Sequence, residues 1–242
     1  QLEQEWQWSE RYPSQEEIWR YLNHVAHRFD LRSSICFNTR LVRANFQSSN
    51  NQWQLQLDPV QQLSCRFLLM ATGCLSSPNM PDIDGLQTFK GPIYHTARWP
   101  RSPVDFSDQR VGVIGNGSSG LQIIPELAKQ VKQLVVFQRT AQYAVPSRNR
   151  PLDRPEVTEI KADYPGFRAR NRQQSSAQMS NVETCQQSAL SVSPAERQQL
   201  YQASWQQGGF VFYATFNDLM RNQQSNQTAA EFIRTKIGQI VN

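Results

Sequence analysis

One segment of the chain constrains the fold more than any other: a glycine-rich turn that joins an apolar strand to an amphipathic helix. The turn, residues 115–120, reads Gly-Asn-Gly-Ser-Ser-Gly and follows the apolar run Arg110–Ile114. Apolar residues then recur at helical spacing as far as Val131, and a second apolar run, Leu134–Phe137, comes next. This order predicts a parallel βαβ crossover that binds a dinucleotide at the amino end of its helix.

Each glycine of the turn has a physical task in such a crossover. Gly115 permits the tight turn, Gly117 lets backbone N–H groups approach a pyrophosphate, and Gly120 lets the helix pack closely against the strand. Ser118 and Ser119 begin the helix, whose free N–H groups and positive dipole end attract phosphate. The alternative interpretation is an ordinary strand–turn–helix in which the glycines coincide by chance.

The residues at the end of the second strand indicate which dinucleotide is bound. An NAD site places Asp or Glu there to accept a hydrogen bond from the ribose 2′-hydroxyl. This chain has Gln138, Arg139 and Thr140 instead. Arg139 can hold a 2′-phosphate with paired charge-assisted hydrogen bonds, and Thr140 can donate a further one. The sequence therefore predicts NADP(H), the alternative being that Arg139 is a solvated cation at a strand end.

Helices are predicted on both sides of the crossover. An S-x-x-E capping box begins at Ser14 and precedes apolar residues at helical spacing, which predicts a helix over 15–29 with one buried face. A second capping box begins at Ser193, and Gly208 is predicted to end that helix. An amphipathic pattern over 232–241 predicts a last helix.

Three strand-like runs lie between the first helix and the crossover. The second run alternates in polarity, as a half-buried antiparallel strand does. The third is continuously apolar from Phe67 to Met70, so we predict a central strand covered on both faces. It ends in Ala71-Thr72-Gly73, small residues that let a ligand approach the backbone. The runs are Ile35–Phe46, Trp53–Leu57 and Leu63–Met70.

Composition narrows the classes of partner. The formal net charge is +5, and the basic residues form no stripe with interleaved aromatics, so we expect no nucleic-acid partner. No run approaches the roughly 18 apolar residues of a membrane span, so we expect no membrane partner. The four cysteines form no C-x-x-C pair and have no histidine at ligand spacing, which favours reduced thiols in a cytoplasmic protein and no metal site.

A longer motif lies just ahead of the glycine-rich turn. Residues 89–100 read Phe-Lys-Gly-Pro-Ile-Tyr-His-Thr-Ala-Arg-Trp-Pro, which resembles the F-x-G-x-x-x-H-x-x-x-W-P fingerprint of Baeyer–Villiger monooxygenases. Residues 4–12 and 137–146 are also similar to segments of the cyclohexanone and phenylacetone monooxygenase type, and the resemblance extends over essentially the whole chain. Related flavin monooxygenases that oxidise nitrogen or sulfur end the fingerprint in Tyr or Phe, so Trp99 and Pro100 favour the Baeyer–Villiger branch.

The resemblance implies a partial tandem Rossmann-like α/β flavoprotein fold that binds two dinucleotides, FAD and NADP, with a helical insertion. It also implies a reaction: with NADPH and O₂, one oxygen atom is inserted next to a ketone carbonyl to give an ester or lactone. Three parts follow from it. Residues 1–84 belong to the FAD-binding domain, 85–150 hold a connector and the NADP-binding crossover, and 151–242 form a truncated helical subdomain.

The family's site residues can be carried over one by one. The NADP contacts fall on residues of the turn, the helix and the strand end: Gly115, Asn116, Gly117, Ser118, Ser119, Gly120, Gln122, Arg139 and Thr140. The FAD contacts fall on Leu41, Ala71, Thr72 and Gly73. His95 and Trp99 match the fingerprint, and we interpret both as structural or gating residues, with no residue assigned to proton transfer.

The chain departs from the family in ways that favour an internal fragment lacking both termini. The glycines before residue 112 form no FAD fingerprint, and the family's active-site arginine has no counterpart. We therefore expect this polypeptide alone to be inactive. Two alternatives stay open: an N- or S-oxidising flavin-containing monooxygenase, and a non-catalytic NADP-binding fragment.

Overall fold

The computed structural model describes residues 2–59, 61–173 and 185–240. The chain divides into two compact units. One, here called the helical unit, comprises Gln1–Ser34 and Tyr143–Asn242, and the other, the sheet unit, comprises Ile35–Gln142. Helices and strands are both present, so the α/β class expected from the sequence is confirmed, while the three-part domain division stays a prediction.

The sheet unit begins with an antiparallel sheet. Strand β1 (Arg40–Gln47) pairs with β2 (Gln52–Asp58), and β2 pairs with β3 (Gln61–Cys65). In β2 the side chains of Trp53, Leu55 and Leu57 are buried or half-buried. The residues that follow each of them, at 54, 56 and 58, are exposed. The predicted alternation is therefore confirmed, because one face of the sheet packs inward and the other meets solvent.

The predicted central strand at Phe67–Met70 is wrong. Strand β3 ends at Cys65, and the exposed fractions of Phe67, Leu69 and Met70 are 76%, 86% and 64%. A strand needs a neighbour that takes up its backbone hydrogen bonds. Within residues 2–59, 61–173 and 185–240, no strand pairs with this run. An apolar run shows only that burial is favourable, and does not supply the neighbour.

The crossover predicted around the glycine-rich turn is present. Strand β4 (Arg110–Ile114) leads into helix α3 (Ser118–Ala128), which returns the chain to β5 (Gln133–Phe137). The two strands pair in parallel, with Arg110 opposite Gln133 and Ile114 opposite Phe137. Their carboxyl ends therefore lie side by side.

The helical unit opens with α1 (Leu2–Glu5) and α2 (Gln15–Arg28). Ser14 caps α2 by accepting a hydrogen bond from the Glu17 backbone N–H at 3.3 Å, so the predicted helix is confirmed. Its predicted buried face is wrong: Ile18 and Leu22 are exposed. Glu17 is buried instead, and its carboxylate accepts from the backbone N–H of Ser9 at 2.9 Å. Helical spacing identifies an apolar stripe, but burial requires another element packed on it.

The hydrophobic core of the helical unit is aromatic. Among the described residues of this unit, four further helices follow: α4 (Arg154–Ala162), α5 (Tyr164–Gln173), α6 (Pro194–Gln207) and α7 (Gln223–Ile240). Ser193 caps α6 and Gly208, with φ +75°, ends it, as predicted. A 3₁₀ segment, Gly209–Ala214, lies between α6 and α7. Side chains of α6, α7 and the chain between them pack together in the core, among them Tyr201, Trp205, Phe212, Phe216, Phe232 and Ile233.

A partly buried polar network fixes the chain that leads into α7. The Asp218 carboxylate accepts hydrogen bonds from the hydroxyls of Ser188 and Ser225, both at 2.6 Å, and from the backbone N–H of Ala189 at 3.1 Å. Burial raises the pKa of Asp218, but the hydrogen bonds to the charged form outweigh it and lower that pKa below its ordinary value. Three donors therefore hold an ionised carboxylate beside the aromatic core.

Neither a membrane-spanning helix nor a metal-binding cluster occurs among the residues that the structure describes. No helix among them is both long enough and apolar enough to cross a membrane. No group of three or more His, Cys, Asp or Glu side chains in the same ranges is placed to bind a metal ion. All four cysteines are free thiols. Val241, part of the last predicted amphipathic pattern, lies outside the described residues.

Candidate nucleotide-binding site

All residues that were predicted from the sequence to contact NADP or FAD lie in the sheet unit. The turn Gly115–Gly120 connects β4 to α3, and residues 138–142, here called the strand-end segment, follow β5. Because β4 and β5 are parallel and end opposite one another, the turn and the strand-end segment lie at the same edge of the sheet. The structure thus brings the predicted NADP residues of both segments into one place.

The turn has a backbone conformation and a close packing that a residue with a side chain would not tolerate at Gly115 or Gly120. Gly115 has φ +95°, in the region that favours glycine, and its N–H donates to the carbonyl of Phe137 at 2.8 Å. A Cβ atom on Gly120 would lie 2.4 Å from the Gly115 carbonyl oxygen. Since that neighbour is backbone, helix and turn would have to separate. These two glycines permit the helix to begin directly against the turn.

Gly117 differs from the other two, because the space around it is open. It is the N-cap residue of α3, and a Cβ atom built on it meets no atom within 4 Å. No side chain caps the helix end, and Ser118 and Ser119 are exposed. The first backbone N–H groups of α3 and the positive end of its dipole therefore face accessible space, which suits an anion.

The electrostatics of this edge also favour an anion. Arg139 and Thr140 are exposed, and Arg139 has no hydrogen-bond or ion-pair partner in the part of the chain that the structure describes. Residues 115–122 and 138–142 contain no Asp or Glu. Arg139 is thus available to a charged ligand, with no protein carboxylate nearby in sequence to compete for it.

The two amide side chains of the predicted site have different partners. Gln122 donates from Nε2 to the carbonyl of Ser118 at 3.0 Å, within its own helix. The side-chain amide of Asn116 reaches across to the strand-end segment, where it lies 2.7 Å from the side-chain amide of Gln138. No sequence pattern pointed to this contact, because Asn116 and Gln138 become neighbours only through the pairing of β4 with β5.

The fingerprint residues lie in the connector that precedes β4. His95 caps a single 3₁₀ turn, Thr96–Arg98, by accepting from the Ala97 backbone N–H on Nδ1 at 3.1 Å. The Trp99 ring lies 5.7 Å from that of Tyr94 and 6.0 Å from that of Phe106, measured between centroids. Both side chains hold contacts within the connector, and their assignment as structural or gating residues stays a prediction.

The residues predicted to contact FAD are less organised. Leu41 lies in β1, half-buried. Ala71, Thr72 and Gly73 are exposed, and Gly73 has φ +75°. No hydrogen bond among the described residues joins Leu41 to this turn. The structure therefore does not assemble these positions as it assembles the glycine-rich turn and the strand-end segment.

Known proteins share the segments that form this site. The family model described as flavin-binding monooxygenase-like matches residues 5–154, which include the connector, the glycine-rich turn and the strand-end segment. The chain belongs to the flavin-binding monooxygenase-like family. The resemblance inferred from residues 89–100 is thereby confirmed at the level of the family.

Individual relatives within the family are similar over nearly the whole chain. A Baeyer–Villiger monooxygenase from Pseudooceanicola batsensis is 39% identical over 236 residues, 97% of this chain and 43% of the relative. A phenazine N-monooxygenase from Lysobacter antibioticus is 37% identical over 238 residues, 98% of this chain and 43% of the relative. The chain therefore spans less than half the length of these monooxygenases.

A solved structure extends the similarity to the fold. The cyclohexanone monooxygenase from Rhodococcus sp. Phi1, crystallised with NADP⁺ bound, superposes with a TM-score of 0.91 at 40% identity. The match covers 100% of this chain and 45% of that enzyme.

Proposed function

We propose that this chain forms the NADP(H)-binding part of an FAD- and NADPH-dependent monooxygenase of the Baeyer–Villiger type. One observation carries the proposal: a glycine turn packs against a helix start and is open at Gly117, at the same sheet edge as Arg139, which has no hydrogen-bond or ion-pair partner among the described residues. The family match and the NADP⁺-bound relative support it.

The residues present fit a dinucleotide diphosphate. The open space in front of Gly117 is what a pyrophosphate requires, and a side chain there would fill it. The uncapped start of α3 offers backbone donors and positive potential to the phosphates. At the far end of the site, Arg139 and Thr140 would hold the ribose 2′-phosphate. The chain's own residues therefore bind and orient NADPH, while the bound flavin, when present, supplies the oxygen chemistry.

Arg139→Ala tests which dinucleotide the site selects. We expect NADPH affinity to fall by about 10- to 150-fold, since hydrogen bonds to a charged group contribute about 1.5–3 kcal/mol. NADH affinity should stay nearly unchanged, because NADH has no 2′-phosphate. Fluorescence titration of both cofactors measures the two effects.

A matched control separates this effect from a general loss of positive charge. Arg110 is an exposed arginine at the opposite end of the same two strands, where its Nε donates to Gln133 Oε1 at 3.0 Å. Arg110→Ala should leave both affinities unchanged. Equal losses of NADPH and NADH in the Arg139 variant would show that Arg139 does not read the 2′-phosphate.

For the complete protein we propose the tandem Rossmann-like fold, with residues 1–84, 85–150 and 151–242 in the three parts implied by the resemblance. The exposed apolar side chains of Ile114 and Phe137 support further elements packed on the faces of β4 and β5 in the complete protein. The exposed apolar run Phe67–Met70 likewise supports further elements of the complete protein packed against the FAD-binding part. In that part we propose Leu41 and the Ala71–Gly73 turn as FAD contacts. Four free thiols are compatible with a cytoplasmic protein.

The proposed substrates of the complete protein are a small ketone, O₂ and NADPH, with no nucleic acid and no membrane as partner. In the balanced reaction, the ketone takes up one oxygen atom to become an ester or lactone. The other oxygen atom leaves as water, and NADPH with one proton supplies the two electrons and becomes NADP⁺. His95 and Trp99 have no chemical step in this proposal and keep the connector in shape.

An isotope experiment tests the reaction. The complete protein, given NADPH, ¹⁸O₂ and cyclohexanone, is expected to give ε-caprolactone carrying one ¹⁸O atom, with one NADPH consumed per lactone. Mass spectrometry of the product and absorbance at the NADPH band measure both quantities. A parallel incubation with phenazine in place of the ketone is the comparison.

Nitrogen oxidation is the second candidate function, because a phenazine N-monooxygenase is among the relatives at 37% identity. Trp99 and Pro100 favour the ketone reaction through their match to the fingerprint. Formation of an ¹⁸O-labelled N-oxide, with no labelled lactone, would make nitrogen oxidation the favoured function. If the protein binds NADPH but oxidises neither compound, the result would favour the alternative of a non-catalytic NADP-binding protein.

A further inference from the structure

The side chain of Asn116 joins the glycine-rich turn to the strand-end segment. With its amide oriented as the surrounding donors and acceptors require, the oxygen accepts from the Gln142 backbone N–H at 3.2 Å. The nitrogen then donates to the Thr140 carbonyl at 3.3 Å. The side-chain amide of Gln138 lies 2.7 Å away. One planar group thus contacts the segment at three positions, on both sides of Arg139.

The strand-end segment has little else to hold it. Pairing with β4 stops at Phe137, so residues 138–142 lie beyond the sheet. They are exposed, and among the described residues every hydrogen bond that they make is to the Asn116 side chain. A loop tied at few points samples many conformations, and ordering it on binding costs free energy.

We propose that Asn116 is a positioning residue for recognition of the 2′-phosphate: it fixes the strand-end segment so that Arg139 meets the phosphate without prior rearrangement. The inference rests on the proposed NADP(H) site. It differs from the expectation that Asn116 contacts the dinucleotide directly, because the nitrogen and the oxygen of its side-chain amide each have a partner in the protein. An amide suits the task, since it presents a donor and an acceptor in one plane, which a carboxylate does not.

The consequence is a specific pattern of cofactor affinities. Asn116→Ala should weaken NADPH by about 3- to 10-fold, the loss that one or two neutral hydrogen bonds correspond to. NADH affinity should change by less than about 2-fold, since only the 2′-phosphate depends on the placement of Arg139. A merely structural role would weaken both cofactors together.

A double-mutant cycle gives the decisive measurement. In the Arg139→Ala background there is no guanidinium to position and only Thr140 remains to contact the phosphate, so adding Asn116→Ala should lower NADPH affinity by a smaller factor than it does in the unmodified protein. The titrations are made on the purified protein, with circular dichroism to verify that each variant is folded. Gln130→Ala is the matched control, because the exposed Gln130 side-chain amide donates to the Glu126 carbonyl of the preceding helical turn and to no other group that the structure describes.

Each outcome has a defined meaning. A selective NADPH loss that becomes smaller without Arg139 supports the positioning role. Equal losses of NADPH and NADH, or an undiminished NADPH loss in the Arg139→Ala background, overturn it while leaving the NADP(H) site itself intact. Absence of NADPH binding to the unmodified protein contradicts the proposed function, and the positioning role with it.

Discussion

Replacing Gly117 with valine is expected to abolish NADPH binding and leave the fold unchanged. The backbone of Gly117 has φ −68° and ψ −171°, which a valine adopts readily, and a Cβ atom there meets nothing within 4 Å. The valine side chain would instead occupy the space proposed for the pyrophosphate. We expect affinity to fall by more than about 200-fold, equivalent to roughly 3 kcal/mol.

Two comparisons make this expectation specific. Gly238→Val in α7 also meets no neighbouring atom, and it should leave both fold and affinity unchanged. Gly120→Val should fail differently, by disturbing the fold, because its Cβ would lie 2.4 Å from the Gly115 carbonyl oxygen. Calorimetric titration with NADPH, together with circular dichroism, separates the three variants. A Gly117→Val protein that keeps wild-type affinity would place the pyrophosphate elsewhere.

Removing the ring of Phe212 is expected to cost the helical unit most of its stability. Phe212 is 2% exposed, and its ring stacks on those of Tyr201 and Phe232 with centroids 5.4 and 5.8 Å away. Truncating such a residue leaves a cavity as well as losing apolar burial. We therefore expect Phe212→Ala to lower the free energy of unfolding by about 3–5 kcal/mol.

The neighbouring Phe210 provides the control for this change. It lies in the same 3₁₀ segment, but its side chain is exposed, and among the described aromatic rings its ring contacts only that of Tyr213. Phe210→Ala should therefore change stability by less than about 1 kcal/mol. Urea denaturation of the two variants and the unmodified protein compares the free energies. A loss of similar size at both positions would mean that the aromatic cluster does not form the core of this unit.

The crossover could be predicted from the sequence because its interactions are local. Residues 110–137 contain both strands, the helix and the turn, and the contacts that require glycine, such as Gly120 against Gly115, join residues a few positions apart. The helix starts at Ser14 and Ser193 could be predicted for the same reason, since a cap accepts from a backbone N–H three residues on.

Long-range neighbours explain where sequence reasoning failed. The apolar run Phe67–Met70 and the stripe Ile18 and Leu22 on α2 were both predicted to be buried, and both are exposed. Their hydrophobicity is evident in the sequence, but burial depends on which elements pack against them, and no described element covers them. Asn116 depends on long-range neighbours in another way: its contact with NADP stays a prediction, and the pairing of β4 with β5 gives its side chain protein partners that the sequence did not indicate.

The sequence by itself determined the elements of this protein that depend on near neighbours: the glycine-rich turn, the helix caps and the absence of a carboxylate around Arg139. Those features follow from backbone sterics, short-range hydrogen bonds and residue charge, which are properties of consecutive residues. Only the tertiary structure decided which apolar faces are covered and which side chain holds the strand-end segment. Both depend on contacts between residues far apart in the chain, and such contacts exist only after the strands have paired.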